Sequence, residues 1–476
     1  MKSVAQIAAE LQGYDPQALS AQQVNDFLAR LVEPVTQVEE VGIFEALDRV
    51  LARDLISPIS VPPHDNSAMD GYAFDGSQLE GAAPLELHVI GTALAGKAWP
   101  GTAAPGQCVK IMTGAIMPAG LDTVVPQEFV SVTSTGSAQT LVSVPANIVR
   151  PGDNRRLQGE DLREGEPALR RGERLTPAAC GLIASLGIAS VPVVRRLRVA
   201  YFSTGDEILS LGEAPREGAV YDSNRYTVFG LLKRLGCEVI DLGVVRDEPA
   251  LLEAAFRHAA QAADAIITSG GVSVGEADYT KAMMKKLGDV AFWRIAMRPG
   301  RPMAVGRIAG QAPSTGSGQV PSTSTGQVPS TGSGQAPSTG SGQAPSTGSG
   351  QAPSTGSGQG AILFGLPGNP VAVMVTFLAF VRPALLRMMG CASAPPPLLK
   401  ARSEEAMRKK AGRTEYQRGI VTTAADGSLR VRTTGSQGSG VLSSMAQANG
   451  LIVLHHAQGD VAAGDPVDVM MFEGVV

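Results

Sequence analysis

Cysteine is scarce: the 476 residues hold four, Cys108, Cys180, Cys237 and Cys391, with no CxxC pair among them. That spacing excludes a disulfide framework or a structural zinc site and fits a reducing compartment. The five histidines add no metal signature, because the adjacent His455 and His456 have a ligand spacing on neither a helix nor a strand. Charge of one sign is lacking too. The net charge is −4 with both signs mixed along the chain, which gives no footing for a nucleic-acid or anionic-membrane binder. Any anion site must come from local geometry. The longest apolar run, Val371 to Val381, ends at Arg382 and reads as too short to span a bilayer. The N-terminal MKSVAQIAAELQ, with Lys2 and Glu10, lacks the pattern of a signal peptide. A soluble cytoplasmic protein, with no membrane and no nucleic-acid partner, is the expectation.

What is present is enough apolar residue, 43%, to build real cores, in a length that suggests roughly three or four domains. One segment stands apart. Residues 312–359 are six copies of an eight-residue unit, mostly APSTGSGQ, without a charged or aromatic residue. Such a composition cannot bury enough apolar surface to offset ordering entropy, so a disordered insert is expected. A solenoid would need a large apolar residue to stack, and the unit has none. The insert separates two strand-like runs, MAVGRI (303–308) and AILFGL (361–366), which can still pair as a hairpin. Lengthening a turn from a few residues to about fifty costs only ~2 kcal/mol of loop closure.

Strand and helix patterns alternate between Arg198 and Gly390. VAYFST is a strand and SNRYTVFGLLKRLG a helix, with Ser223 expected as N-cap and Gly236 as stop. EVIDLGVV, then EPALLEAAFRHAAQAA, AIITSG and EADYTKAMMKKLG continue the alternation, and a last helix follows Pro370. This argues for a parallel sheet covered on both faces. The predicted fold class is therefore multidomain, α/β and β. Residues 20–60 and 163–195 form a mixed linker-type domain, 61–162 a β-rich one, 196–392 the α/β domain with 1–19 packed on it, and 397–476 a C-terminal β domain of short strands.

Five segments carry candidate chemistry. TSGGVSVGEADYT (268–280) ends a strand and opens a helix. Gly270, Gly271 and Gly275 let backbone N–H groups approach a ligand, Ser269 and Ser273 offer hydroxyls, and the loop suits phosphate. Asp278 either caps the helix or takes a proton or metal. FSTGDEIL (202–209) brings Asp206 and Glu207 to the same rim, and Asp247 reaches it from a third strand end. WRIAMRPGRP carries Arg294, Arg298 and Arg301 on a stiff loop, a cradle for an oxyanion or a solvated surface. In GLPGNPVAV, Asn369 and Pro370 suit a helix start whose free N–H groups face the rim, with Gly368 free to adopt positive φ. VPPHDNSAMDGYAF (61–74), with Asp65, Asp70 and Tyr72, reads as a loop held for its side chains; the polar turns KIMTGA and NRRLQGED offer Thr113 and Asp161.

Taken together, DNSAMDGYA, IMTGA, GED, SGGVSVGEADYT and LPGNP resemble the molybdopterin molybdenumtransferases, the family that includes the C-terminal catalytic part of gephyrin. The resemblance runs from about residue 20 to the end, the repeat excepted. The glycine-loop module alone is shared with molybdopterin adenylyltransferases, so the N-terminal motifs carry the distinction. The resemblance implies a three-layer α/β molybdopterin-binding-like domain. It also implies insertion of molybdate into adenylated molybdopterin with release of AMP, and Mg²⁺ as cofactor held by Asp247 and Asp278. Asp70, Asp247, Asp278 and Glu207 would be catalytic. Thr113, Asp161, Ser269, Gly270, Gly271, Ser273, Arg294, Arg298, Arg301, Pro367, Pro370, Arg413, Arg418 and Ser439 would bind substrate. A homodimer is implied, its cleft completed by the other copy's DNSAMDGYA domain, with molybdopterin adenylyltransferase and molybdoenzyme maturation factors as further partners. The rival readings are an adenylyltransferase of the same pathway and a non-catalytic scaffold. Two departures stand out: Arg298 and Arg301 replace the lysines of a KPGKP-like loop, and Ala372 stands where relatives often carry serine.

Overall fold

Strands that are apolar at nearly every position tolerate only a sheet covered on both faces. In the computed structural model, which describes residues 2–79, 81, 83–135, 139–272, 279–310, 360–392 and 395–473, the alternating stretch forms one such sheet. Its strands are β1 (Arg198–Thr204), β2 (Glu238–Val245), β3 (Ala265–Ser269), β4 (Gly288–Arg294), β5 (Pro302–Ile308) and β6 (Ala361–Leu366), in the order β2-β1-β3-β6-β5-β4. The first four run parallel, while β5 is antiparallel to both its neighbours β6 and β4, so the sheet is mixed rather than purely parallel. Four helices cover it: α1 (Ser223–Leu235), α2 (Pro249–Ala262), α3 (Tyr279–Leu287) and α4 (Pro370–Met388). Helices α2 and α3 bury Leu252, Phe256, Met283 and Met284 against Ala200, Phe202, Ile266 and Leu363 of one sheet face. The rings of Phe202 and Phe256 meet edge to face at 5.1 Å.

Three details of this layer depart from expectation. The N-cap of α1 is Asp222, whose carboxylate accepts from the N–H of Arg225 at 3.0 Å, and Ser223 is already helical. An acidic cap also meets the positive end of the helix dipole, so Asp222 is the better occupant. The last helix is longer than the apolar run Val371 to Val381, continuing past Arg382 to Met388 through a π-turn at Phe377–Val381. By length and composition α4 would cross a bilayer, but it is mostly buried inside its unit, as a core helix is. Gly368 is not among the residues at positive φ.

The chain divides into two compact units, one of residues up to 35, 196–389 and from 394 on, the other of 36–195 with 390–393. Residues up to 35 thus pack within the unit of the α/β sheet. Helix Ala21–Leu31 buries Val24, Phe27, Leu28 and Leu31, the i, i+3, i+4, i+7 stripe of an amphipathic helix, and Phe27 packs edge to face on Trp293 of β4. In the same unit, β7 (Leu399–Ser403), β8 (Thr414–Thr423), β9 (Leu429–Thr433), β10 (Gly450–Leu454) and β11 (Pro466–Met471) close into a barrel, because β8 pairs with both β9 and β10. The barrel has its own core around Val421, Val431, Ile452 and Val469. It is stitched to the RPGRP loop, since Met297–Arg298 pairs in parallel with Thr414–Glu415.

The second unit holds a six-stranded sheet of strands Thr123–Pro126, Gly71–Phe74, Gln107–Ile111, Leu85–Ala93, Gln139–Val144 and Ser131–Thr135. Beside it, helix Pro177–Ser185 and the strand pair Val38–Gly42 and Ser190–Val194 share a smaller core.

The repeat 312–359 lies outside the described residues, but its flanks do pair, with Ile308 opposite Ala361 across β5 and β6. Deleting 312–359 should therefore leave the cooperative melt in place and the midpoint equal or slightly higher, since closure becomes up to ~2 kcal/mol cheaper. Loss of the cooperative transition would show that the insert is structural.

Candidate functional site

In a doubly wound sheet, the crevice opens beyond the carboxyl ends of the strands where the chain switches direction. Here the order β2-β1-β3 puts that point between β1 and β3. A cavity of about 830 Å³ opens there. Thr204, Gly205 and Glu207 reach it from β1, Asp247 from β2, and Gly270, Gly271 and Val272 from β3. The far wall is the RPGRP loop with Arg298 and Arg301, Pro367, Gly368, Asn369 and Ala372 ahead of and within α4, and Arg413, Gln437, Gly438 and Ser439 from the barrel segment. Carboxylates on one set of loops and guanidinium groups on another suit a ligand carrying phosphate together with a cation.

The glycine loop needs its glycines. Gly270 has φ +93 and an added Cβ would lie 2.3 Å from the Thr204 carbonyl oxygen; Gly271 has φ +64 and would meet Thr280 at 2.6 Å. The N–H of Gly270 donates to the Leu366 carbonyl, tying β3 to the LPGNP segment.

The charged wall is held from behind. Arg413 gives Nε to Glu415 Oε1 at 2.7 Å, and Nη2 lies 2.7 Å from the same oxygen, so one edge of the fork is committed and the rest can face a ligand. Glu415 is itself buried. Arg418, 1% exposed, donates to Ser444 Oγ and to the carbonyls of Ser436, Gln437 and Gly438. Burial, then the neighbouring Arg298 charge, push its pKa down to about 10.

Three family models match the chain in succession: the MoeA N-terminal region (domain I and II) over 19–187, the probable molybdopterin binding domain over 200–387, and the MoeA C-terminal region (domain IV) over 400–472. Over 442 residues the chain is 39% identical to the molybdopterin molybdenumtransferase of Haemophilus influenzae, covering 92% of this chain and 94% of that protein. The chain belongs to the molybdopterin molybdenumtransferase family. The Nostoc molybdopterin molybdenumtransferase is 33% identical over 91% of this chain and 88% of its own length. A solved molybdopterin biosynthesis MoeA protein from Pyrococcus horikosii superposes with a TM-score of 0.67 at 26% identity, covering 96% of this chain and 99% of that one.

Within this family framework the predicted site residues separate. Glu207, Asp247, Gly270, Gly271, Arg298, Arg301, Pro367, Arg413 and Ser439 share the large cavity. Arg294 instead borders a second, smaller basic cavity with Arg301, Lys410 and Arg413. Pro370 occupies the first position of α4, and Pro367 is the proline of LPGNP that lines the wall. Ser269 and Arg418 do not fit as ligand contacts. Ser269 Oγ is buried and hydrogen-bonded to Tyr201 OH and Ser203 Oγ, because β3 is paired on both sides and its last side chain turns into the layer. Arg418 is spent on backbone carbonyls. The first turn of α4 is also less open than expected, since Val371 N–H donates to the Ser439 carbonyl. Ser273 and Asp278 lie outside the described residues.

Asp70, Thr113 and Asp161 belong to the second unit. Thr113 gives its N–H and its hydroxyl to Asp70 Oδ1 at 2.6 and 2.7 Å, and those bonds hold the Asp70 carboxyl below its ordinary range. The three source loops are laced together. Asn66–Ser67 pairs with Arg155–Arg156, Gly114 N–H donates to the Ser67 carbonyl, and Asp161 N–H to the Val61 carbonyl. Asp65 is the tie: it accepts from Gln158 N–H and from Arg155, which lower its pKa in that order. The first aspartate of DNSAMDGYA is thus structural and the second is presented at the surface.

Proposed function

We propose that this chain inserts molybdate into adenylated molybdopterin, releasing AMP and molybdenum cofactor. The observation that carries the reading is one cavity holding a glycine loop, two carboxylates and three arginines at a sheet switch point, in a chain matched along its length by the family. In the reaction, water adds its oxygen to one phosphorus of the phosphoanhydride, and the bridging oxygen leaves with the other. The glycine loop, with Gly270 tied to Leu366 and Gly271 beyond it, lets the phosphates approach closely, while Arg298, Arg301 and Arg413 attract molybdate, a tetrahedral dianion.

Mg²⁺ is proposed as cofactor. Among the described residues no cluster of three or more acidic, His or Cys side chains exists, but Mg²⁺ is commonly held by one or two carboxylates with substrate phosphates and water. Asp247, which lines the cavity, fits that mode, Asp278 outside the described residues is the proposed second ligand, and the ion would supply charge neutralisation on the phosphates. A homodimer is proposed too, in which the Asp70, Thr113 and Asp161 surface of one copy completes the cavity of the other. Molybdopterin adenylyltransferase and molybdoenzyme maturation factors are the proposed upstream and downstream partners. The four cysteines, all among the described residues, form no disulfide, which suits the cytoplasm proposed as its compartment.

The test is AMP release from adenylated molybdopterin by the purified chain with Mg²⁺, with and without molybdate. Release that depends on molybdate is the expected result. ATP consumption with free molybdopterin, and no AMP release, would move the chain to the adenylylation step and overturn the reading.

A further inference from the structure

We propose that Thr280 is a positioning residue for this reaction, acting through Asp247; the proposal rests on the transferase reading above. Thr280 sits in the first turn of α3, wholly buried, on the floor of the cavity. Its hydroxyl donates to Asp247 Oδ1 at 3.1 Å. A threonine hydroxyl has a single proton. With that proton committed to the carboxylate, the 3.4 Å contact between Thr204 Oγ1 and Thr280 Oγ1 is made with the proton of Thr204. The chain of donors therefore runs one way, Thr204 to Thr280 to Asp247, and joins elements that end β1, follow β3 and follow β2.

Two further contacts make Thr280 a rigid support rather than a passing partner. An added Cβ on Gly271 would lie 2.6 Å from both Cβ and Cγ2 of Thr280 and 2.8 Å from its Oγ1, so the whole side chain is packed against the glycine loop and has little room to turn. The Asp247 N–H is meanwhile near Asp206 Oδ1 at 3.3 Å, which anchors the backbone of the same residue. Asp247 follows β2 on a loop, and a carboxylate on a loop has several accessible rotamers. The Thr280 hydroxyl selects one of them at the cavity rim. Reacting groups displaced by about an ångström lose up to ~100-fold in rate, so loss of this bond should reach turnover while leaving substrate affinity almost alone.

The experiment compares wild type, Thr280→Val, Thr280→Ser, Asp247→Asn and the Asp247→Asn/Thr280→Val double variant in molybdate-dependent AMP release, with thermal melts alongside. Thr280→Val should lower kcat about tenfold or more, with KM for adenylated molybdopterin within about twofold and the melt close to wild type. Thr280→Ser should recover most of the loss. In the Asp247→Asn background, Thr280→Val should add almost nothing, because the carboxylate that the hydroxyl orients is already gone. Losses that multiply in the double variant, or a serine variant as impaired as the valine one, would overturn the proposal while the transferase reading stood. A wild type that releases no AMP would sink both.

Discussion

Gly270→Ala is expected to cut molybdate-dependent AMP release by at least about a hundredfold and to lower stability by about 2–3 kcal/mol. The backbone at Gly270 has φ +93, in the left-handed half of conformational space, where a Cβ is strained whatever the room around it. There is no room either. The new atom would fall 2.3 Å from the Thr204 carbonyl oxygen, and that oxygen belongs to the end of β1, which cannot retreat without leaving the sheet. The relief open to the chain is to move the glycine loop outward, which takes the proposed phosphate cradle off the switch point. Gly181→Ala is the matching control. Gly181 lies within helix Pro177–Ser185, with nothing within 4 Å of an added Cβ, so alanine there should stabilise by about 0.5–1 kcal/mol. Urea unfolding of both variants and AMP release by the first check the pair. Wild-type activity in Gly270→Ala would mean that the loop is not the cradle.

The fold was legible where periodicity and punctuation agree. VAYFST and AIITS are apolar on both faces and buried throughout, and only a doubly covered sheet accepts that. The glycines of TSGG announce a backbone needing positive φ, and Gly270 and Gly271 have it. What was not legible depends on neighbours distant in sequence. Ser269 belongs to the motif but turns inward, because Tyr201 and Ser203 on the adjacent strand offer it buried partners. Thr280 looked like the tail of the same motif, and its value appears only when the Asp247 loop is placed beside it. Helix Ala21–Leu31 carries a clear amphipathic stripe, yet no pattern says which core the stripe faces. In β8, alternation sets Val421 toward the barrel interior and Arg418 outward. Arg418 is nonetheless buried, because the segment around Ser436–Gly438 and Ser444 folds over it. A charged residue on an outer strand face reads as solvated until its cover is seen.

That cover is the basis of the second large effect: Arg418→Met should destabilise the chain by about 3 kcal/mol and weaken molybdate binding. The guanidinium reaches three carbonyls, of Ser436, Gln437 and Gly438, and the Ser444 hydroxyl, at 2.9 to 3.3 Å. Methionine fills much of the volume but donates nothing, so buried acceptors are left unmade, at about 1–3 kcal/mol each before water enters. The segment these bonds hold is the one that places Gln437, Gly438 and Ser439 on the cavity wall, and Ser439 in turn accepts from Val371 N–H at the start of α4. Loosening it should spread the anion-binding wall, so the molybdate concentration giving half-maximal AMP release should rise about tenfold, with kcat at saturation changed far less. Arg418→Lys should fall between, since an ammonium keeps the charge but cannot reach the same set of acceptors from one plane. The opposite pattern, stability kept while the saturating rate collapses, would mean that Arg418 touches the reacting groups directly, and its role as a backbone tie would have to be given up.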